Sequence, residues 1–141
     1  MLNKTILLLS IVFAIALFDG CKKKDIVDVD ADFVADWDAY WSHATMTILS
    51  DNNLSCDDES CGDRECWVKI NGKAKIKGDY IYVQNKLGIY QKKFHIDEYP
   101  YNEITSFPTS FGFPPKIFTK KMVLTATYNL SNLTNETFYG N

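Results

Sequence analysis

The most distinctive chemistry in this 141-residue chain belongs to its four cysteines. Three are evenly spaced, Cys56-x4-Cys61-x4-Cys66, among Asp57, Asp58, Glu59, Asp63 and Glu65. Three thiolates with His43 could form a four-ligand zinc site, but under oxidising conditions thiols pair instead. The N-terminus bears on that choice. An apolar run from Ile6 to Leu17 follows Lys4. It is shorter than the roughly 20 residues that span a bilayer, and it fits a cleaved export signal. An exported domain meets oxidants, so a disulfide is expected and a metal is not. Cys56 and Cys66 flank a loop and could face each other across a hairpin, a closure contributing about 3 kcal/mol in the chain-entropy model. Cys56–Cys61 and Cys61–Cys66 stay open as alternatives, because connectivity does not follow from spacing.

The remaining polar groups offer less. The acids around the cysteines have no calcium-ligand spacing, and the Asp28-Val29-Asp30-Ala31-Asp32 run has Phe33 and Ala39 where an EF-hand needs Gly and Glu. His43 and His95 are the only histidines, and no Gly-x-Ser-x-Gly elbow accompanies them. Both are read as non-catalytic, and no enzyme and no cofactor are expected. Asn53, Asn129, Asn132 and Asn135 each open an Asn-x-Ser/Thr triplet, attributed to an Asn-rich composition rather than to glycosylation. Charge is lopsided: Lys22 to Glu65 carries a net of −8 and Cys66 to Asn141 a net of +5, read as a solvated tether and loop. No basic cluster is interleaved with stacking aromatics, so nucleic acid is not an expected partner.

Two resemblances follow. Gly20-Cys21 at the end of the leader resembles the bacterial lipoprotein signal, which is cut just before a cysteine that then takes acyl chains. The match departs at Phe18 and Asp19, where Leu and a small residue are usual. The resemblance implies a signal peptide over 1–20, palmitate-type chains on Cys21, a charged tether over 21–32 and a place in the bacterial cell envelope, at the outer membrane. Ala14-Ile15-Ala16 offers a second cut that would release a soluble secreted form. Phe33-x-Ala35-x-Trp37 is similar to the Phe-x-Gly-x-Trp opening of lipocalin-like domains. Over 33–141 this implies an up-and-down barrel holding a small apolar ligand.

The elements support an all-β reading independently. The chain has 9 Phe, 8 Tyr and 3 Trp with frequent β-branched residues, a strand-forming composition. Strands are expected at Thr45–Ser50, from Trp67 through Gly72 to Lys77 as one strand with a bulge, at Tyr80–Val83, Tyr90–Asp97, Lys121–Tyr128 and Thr137–Tyr139. Asn71-Gly72 could instead be a hairpin turn. Together these make an antiparallel meander of seven or eight strands closing into a barrel or half-barrel. Pro100 is expected to end a strand, and Tyr101 to Thr119, with Pro108, Pro114 and Pro115, to form a long loop. Its Phe107, Phe111, Phe113 and Phe118 are the best candidates for a ligand lid or a patch docking another envelope protein. Two functions are therefore expected to compete: a module binding a small apolar ligand or a partner protein, and a surface-interaction lipoprotein with a filled core. Interior room beside Ile76, Phe94, Ile96 and Val123 discriminates them.

Overall fold

The computed structural model describes residues 26–60, 68–109, 112–129 and 131–141. They form β1 (Val27–Asp28), a 3-10 turn (Ala31–Phe33), β2 (Ala35–Ala39), β3 (Ala44–Ile48), β4 (Asn53–Asp58), β5 (Val68–Lys77), β6 (Tyr80–Gln84), β7 (Tyr90–Phe107), β8 (Lys116–Ala126) and β9 (Glu136–Gly140). Strands β2 to β9 pair antiparallel with their sequence neighbours, and β9 returns to β2, so eight strands close into a barrel. The closing seam pairs Trp37 with Gly140 and Asp38 with Tyr139. Gly140 is required there, because a Cβ would stand 2.7 Å from the Trp37 ring.

Alternation decides which side chains point inward. Ala35, Trp37 and Ala39 are buried on β2, Ala44, Met46 and Ile48 on β3, and Phe94 and Ile96 on β7. The Trp37 indole N–H donates to the Phe33 carbonyl at 2.8 Å, tying the 3-10 turn to the first long strand. Gly72 lies inside the ten-residue β5, so the single-strand reading holds and the hairpin alternative does not. It is not a bulge: its register with Leu54 is regular. The residue is small because the Gln84 carbonyl oxygen would lie 2.0 Å from a Cβ. Gly78, with φ of 62°, opens the two-residue turn from β5 to β6.

Three expectations are corrected. First, Cys56 does not open a loop but lies within a strand, Asn53–Asp58, with Leu54, Cys56 and Asp58 inward. Second, β7 continues through Pro100 to Phe107. The β7–β8 register slips between Glu98 and Tyr101, so the proline sits where no ladder bond is owed. What was expected as a 19-residue loop is mostly a two-stranded arm, since β7 pairs with β6 only as far as His95. Third, residues 27–32 are not free tether. Val27 and Asp28 pair with Ile76 and Lys75 on β5, and Asn52 Oδ1 accepts a hydrogen bond from the Val29 amide.

Candidate functional site

The β7–β8 arm ends in aromatic contacts with the barrel wall. Trp37 and Phe138 point inward, so Asp38 and Tyr139 face outward. The Phe107 ring stacks on Tyr40, with centroids 4.3 Å apart and planes 13° from parallel. It also meets Tyr139 edge-on at 4.8 Å and Phe118 at 5.9 Å. Lys116, opposite Phe107 in the arm, bonds the Asp38 carboxylate and lies 4.9 Å from the Phe118 ring. Phe118 is buried by this docking yet lies outside the cluster that fills the barrel.

Around the docked tip, large apolar side chains stay in solvent. Trp41 is 72% exposed, Phe113 73% and Ile117 54%. Trp41 meets Tyr40 edge-on at 4.9 Å and Phe107 at 6.4 Å, so it extends the same cluster outward. The turn that presents it is under strain. His43 takes a left-handed φ of 57°, uncommon for a residue other than glycine, and the buried Ser42 hydroxyl has no hydrogen-bond partner among the described residues. Such features collect where function overrides local preference.

The four candidate phenylalanines therefore divide. Phe107 and Phe118 fasten the arm, Phe113 is presented to solvent, and Phe111 lies outside the described residues. Tyr40, Trp41 and Tyr139 complete the cluster and were not singled out from the sequence. Only their aromatic character hinted at a role.

The disulfide expected between Cys56 and Cys66 is not seen. Cys56 is a free thiol, 1% exposed, on the inner face of β4. Strand alternation turns its side chain into the core, and it forms no disulfide among the described residues. Cys61, Cys66 and Cys21 lie outside the described residues. Burial, followed by the negative charges of Asp58 and Asp57, pushes the Cys56 thiol up to about 12. It is thus a neutral core group, far from the depressed values of reactive thiols.

Beside it, Asp58 is also 1% exposed. Tyr128 and Ser131 donate their hydroxyls to Oδ2 at 2.7 and 2.6 Å, and the Ser60 amide donates to Oδ1 at 2.9 Å. Burial alone would raise this carboxyl, but the hydrogen bonds from Ser131, Ser60 and Tyr128 outweigh it and leave it below the usual range. Burial raises the Tyr128 hydroxyl, with the neighbouring Cys56 and Asp58 adding to the effect. Leu133, buried, and Asn132, bonded to Ser60, hold the segment after β8 across this end of the barrel. These groups latch the fold.

His95 Nδ1 and Asp97 Oδ1 lie 2.8 Å apart, and Thr125 donates to the other Asp97 oxygen at 2.7 Å. The hydroxyl meets the acid rather than the imidazole, so the order needed for a general base activating a nucleophile is not met. Among the described residues, no group of three His, Cys, Asp or Glu side chains is placed to hold a metal ion. Inside the barrel, Ile76, Phe94 and Ile96 pack with Phe33, Trp37 and Phe138 in one cluster. Val123 is buried but not part of it, and Met122 and Leu124 point inward instead.

Compared with models of protein families, with curated proteins and with solved structures, the chain matches none of them.

Proposed function

We propose that this protein is an exported bacterial lipoprotein, anchored to the envelope through acyl chains on Cys21, whose barrel docks a partner protein without catalysing a reaction. The observation that carries the docking is Trp41, 72% exposed yet seated edge-on against the packed Tyr40 and Phe107 rings, with Phe113 and Ile117 also exposed along the arm. Isolated exposed apolar residues are ordinary, whereas an exposed tryptophan packed on rigid aromatics is the kind of anchor that interfaces use. A partner protein is favoured over a small apolar ligand, because Trp37, Phe33, Phe94 and Phe138 occupy the interior where such a ligand would sit. The anchor rests on the apolar leader and Gly20-Cys21, and the outer membrane is the proposed location. Two or three acyl chains hold a protein at a bilayer far more firmly than one.

Two measurements test this reading. Intact mass of the mature protein should show a chain starting at an acylated Cys21, and a soluble product starting at Leu17 would refute the anchor. A photo-crosslinking residue at position 41 or 113, in envelopes of the native organism, should trap one discrete partner. The same residue at Lys77, an exposed β5 position, should trap none. Equal trapping at all three positions would refute the docking surface.

A further inference from the structure

A second surface feature lies away from the aromatic patch, where the barrel wall splits. Strand β5 pairs with β6 only from Ala74 to Lys77. Its first half, Val68 to Lys73, pairs with β4 on its other side. The strands meet again at Gly72, where the missing Cβ admits the Gln84 backbone. Beyond that contact β5 and β6 diverge, and an open cleft of about 220 Å³ lies between them. Ile70 and Val83, both members of the interior cluster, form its apolar base. Lys69, Lys86 and Lys93 stand at its rim.

Their charge is only partly answered. Lys69 pairs with Asp57 at 3.5 Å. Among the described residues, Lys86 and Lys93 make no ion pair and no acid lines the cleft. Lys93 is half-buried and lies where β7 carries one more residue than β6, between the Tyr82–Lys92 and Ile81–Phe94 pairs. A β-bulge of this kind re-aims a side chain out of the alternating pattern. Asn71 and Gln91, also lining the cleft, have side chains with no hydrogen-bond partner among the described residues. The site thus combines an apolar base, two uncompensated ammonium groups and two idle amides. Each element is common on a surface, but their convergence on one concavity is the usual mark of a ligand site.

We infer that this cleft binds a small organic anion, a carboxylate with a short apolar body. The base takes the apolar part, Lys86 and Lys93 take the charge, and Asn71 and Gln91 supply hydrogen bonds. The volume is below the roughly 300–1,000 Å³ of drug-sized sites, so the ligand has the size of a single ring or a short chain. This inference is independent of the docking surface and of the lipid anchor.

Benzoate is a suitable probe, and benzyl alcohol is its uncharged counterpart. In heteronuclear NMR of the full chain, benzoate should give saturable shifts at the amides of Ile70, Val83, Gln84 and Lys93. About 0.5 M salt should weaken binding by screening. Benzyl alcohol should leave these amides unmoved. Replacing both lysines, Lys86→Met with Lys93→Met, should weaken benzoate binding about tenfold or more, since even a water-like dielectric leaves about a fivefold effect per close charge. Equal shifts with benzyl alcohol, shifts confined to the aromatic arm, or undiminished binding in the double variant would each overturn the inference. The comparison of the two probes on the unaltered chain keeps the test valid should the variant fold poorly.

Discussion

Replacing Asp58 with Ala should cost this barrel about 3 kcal/mol. The carboxylate accepts hydrogen bonds from Tyr128, Ser131 and the Ser60 amide while almost fully shielded from water. Hydrogen bonds to a charged group contribute about 1.5–3 kcal/mol each, and a buried donor left without a partner costs about 1–3 kcal/mol. These terms overlap, so about 3 kcal/mol is a conservative total. A domain of this size has about 5–15 kcal/mol in all. The assay is urea unfolding at neutral pH, followed by tryptophan fluorescence. With a slope of about 1–3 kcal/mol per molar, the midpoint should fall by about 1–3 M at constant slope. Asp58→Asn, which keeps the shape, should lose about half as much. Combined with Ser131→Ala, Asp58→Ala should show a coupling above about 0.5 kcal/mol. The sign of the pH dependence is fixed as well. The folded pKa of Asp58 lies below the unfolded value of about 3.9, so its stabilisation is complete above about pH 4 and is lost as pH falls through the folded value. Asp58→Asn should remove that part of the acid sensitivity. An unfolding free energy for Asp58→Ala within about 0.5 kcal/mol of the parent would refute the latch.

Three further outcomes are expected. Cys56 should resist alkylation in the folded protein at pH 8 to 9 and react fully in denaturant, as read by peptide mass mapping, because its thiol is buried and held near 12. Gly72→Ala should destabilise by about 2 kcal/mol or more, since its Cβ would fall 2.0 Å from the Gln84 carbonyl oxygen and both backbones are fixed in the sheet; thermal unfolding measures it. Phe107→Ala should leave the barrel folded but free the arm tip, removing the ring contacts with Tyr40, Tyr139 and Phe118. Aromatic pairs contribute about 0.5–1.5 kcal/mol each beyond their buried area, so faster amide exchange in the arm, with unchanged protection at Met46 and Phe94, is the expected pattern.

The closed meander could be read from alternation wherever the outward positions are polar and the inward ones apolar, as at Ala74 and Ile76 or Phe94 and Ile96. Strand β4 escaped because its inward set ends in Asp58, a buried carboxylate satisfied by hydroxyls far along the chain. One such group makes an alternating strand look like an acidic loop. The arm escaped for a different reason. Proline argues against a paired strand, and only the register slips around Pro100 relieve that conflict. The candidate site was half legible. Phe107, Phe113 and Phe118 stand out as a local cluster, but Tyr40, Trp41 and Tyr139 join them only once the barrel has closed. The lysines of the side cleft come from β5, from the turn before β7 and from β7 itself. No local pattern in the sequence connects them.

The seam between β2 and β9 also bears on how the chain reaches this state. On one side Trp37 pairs with Met46 of the next strand, but on the other its partner is Gly140, at the opposite end of the described chain. Apart from the short β1–β5 pairing, every other pairing joins sequence neighbours, so the barrel can grow hairpin by hairpin from local contacts. The last step has no local substitute, and long-range closure of this kind is slow. Until it occurs, β2 and β9 are both open edges, one of them carrying an uncovered tryptophan. A nascent or partly refolded barrel would therefore be most vulnerable to pairing with a second copy of itself at these two strands. The residues that complete the wall last are the ones that protect its first strand from aggregation.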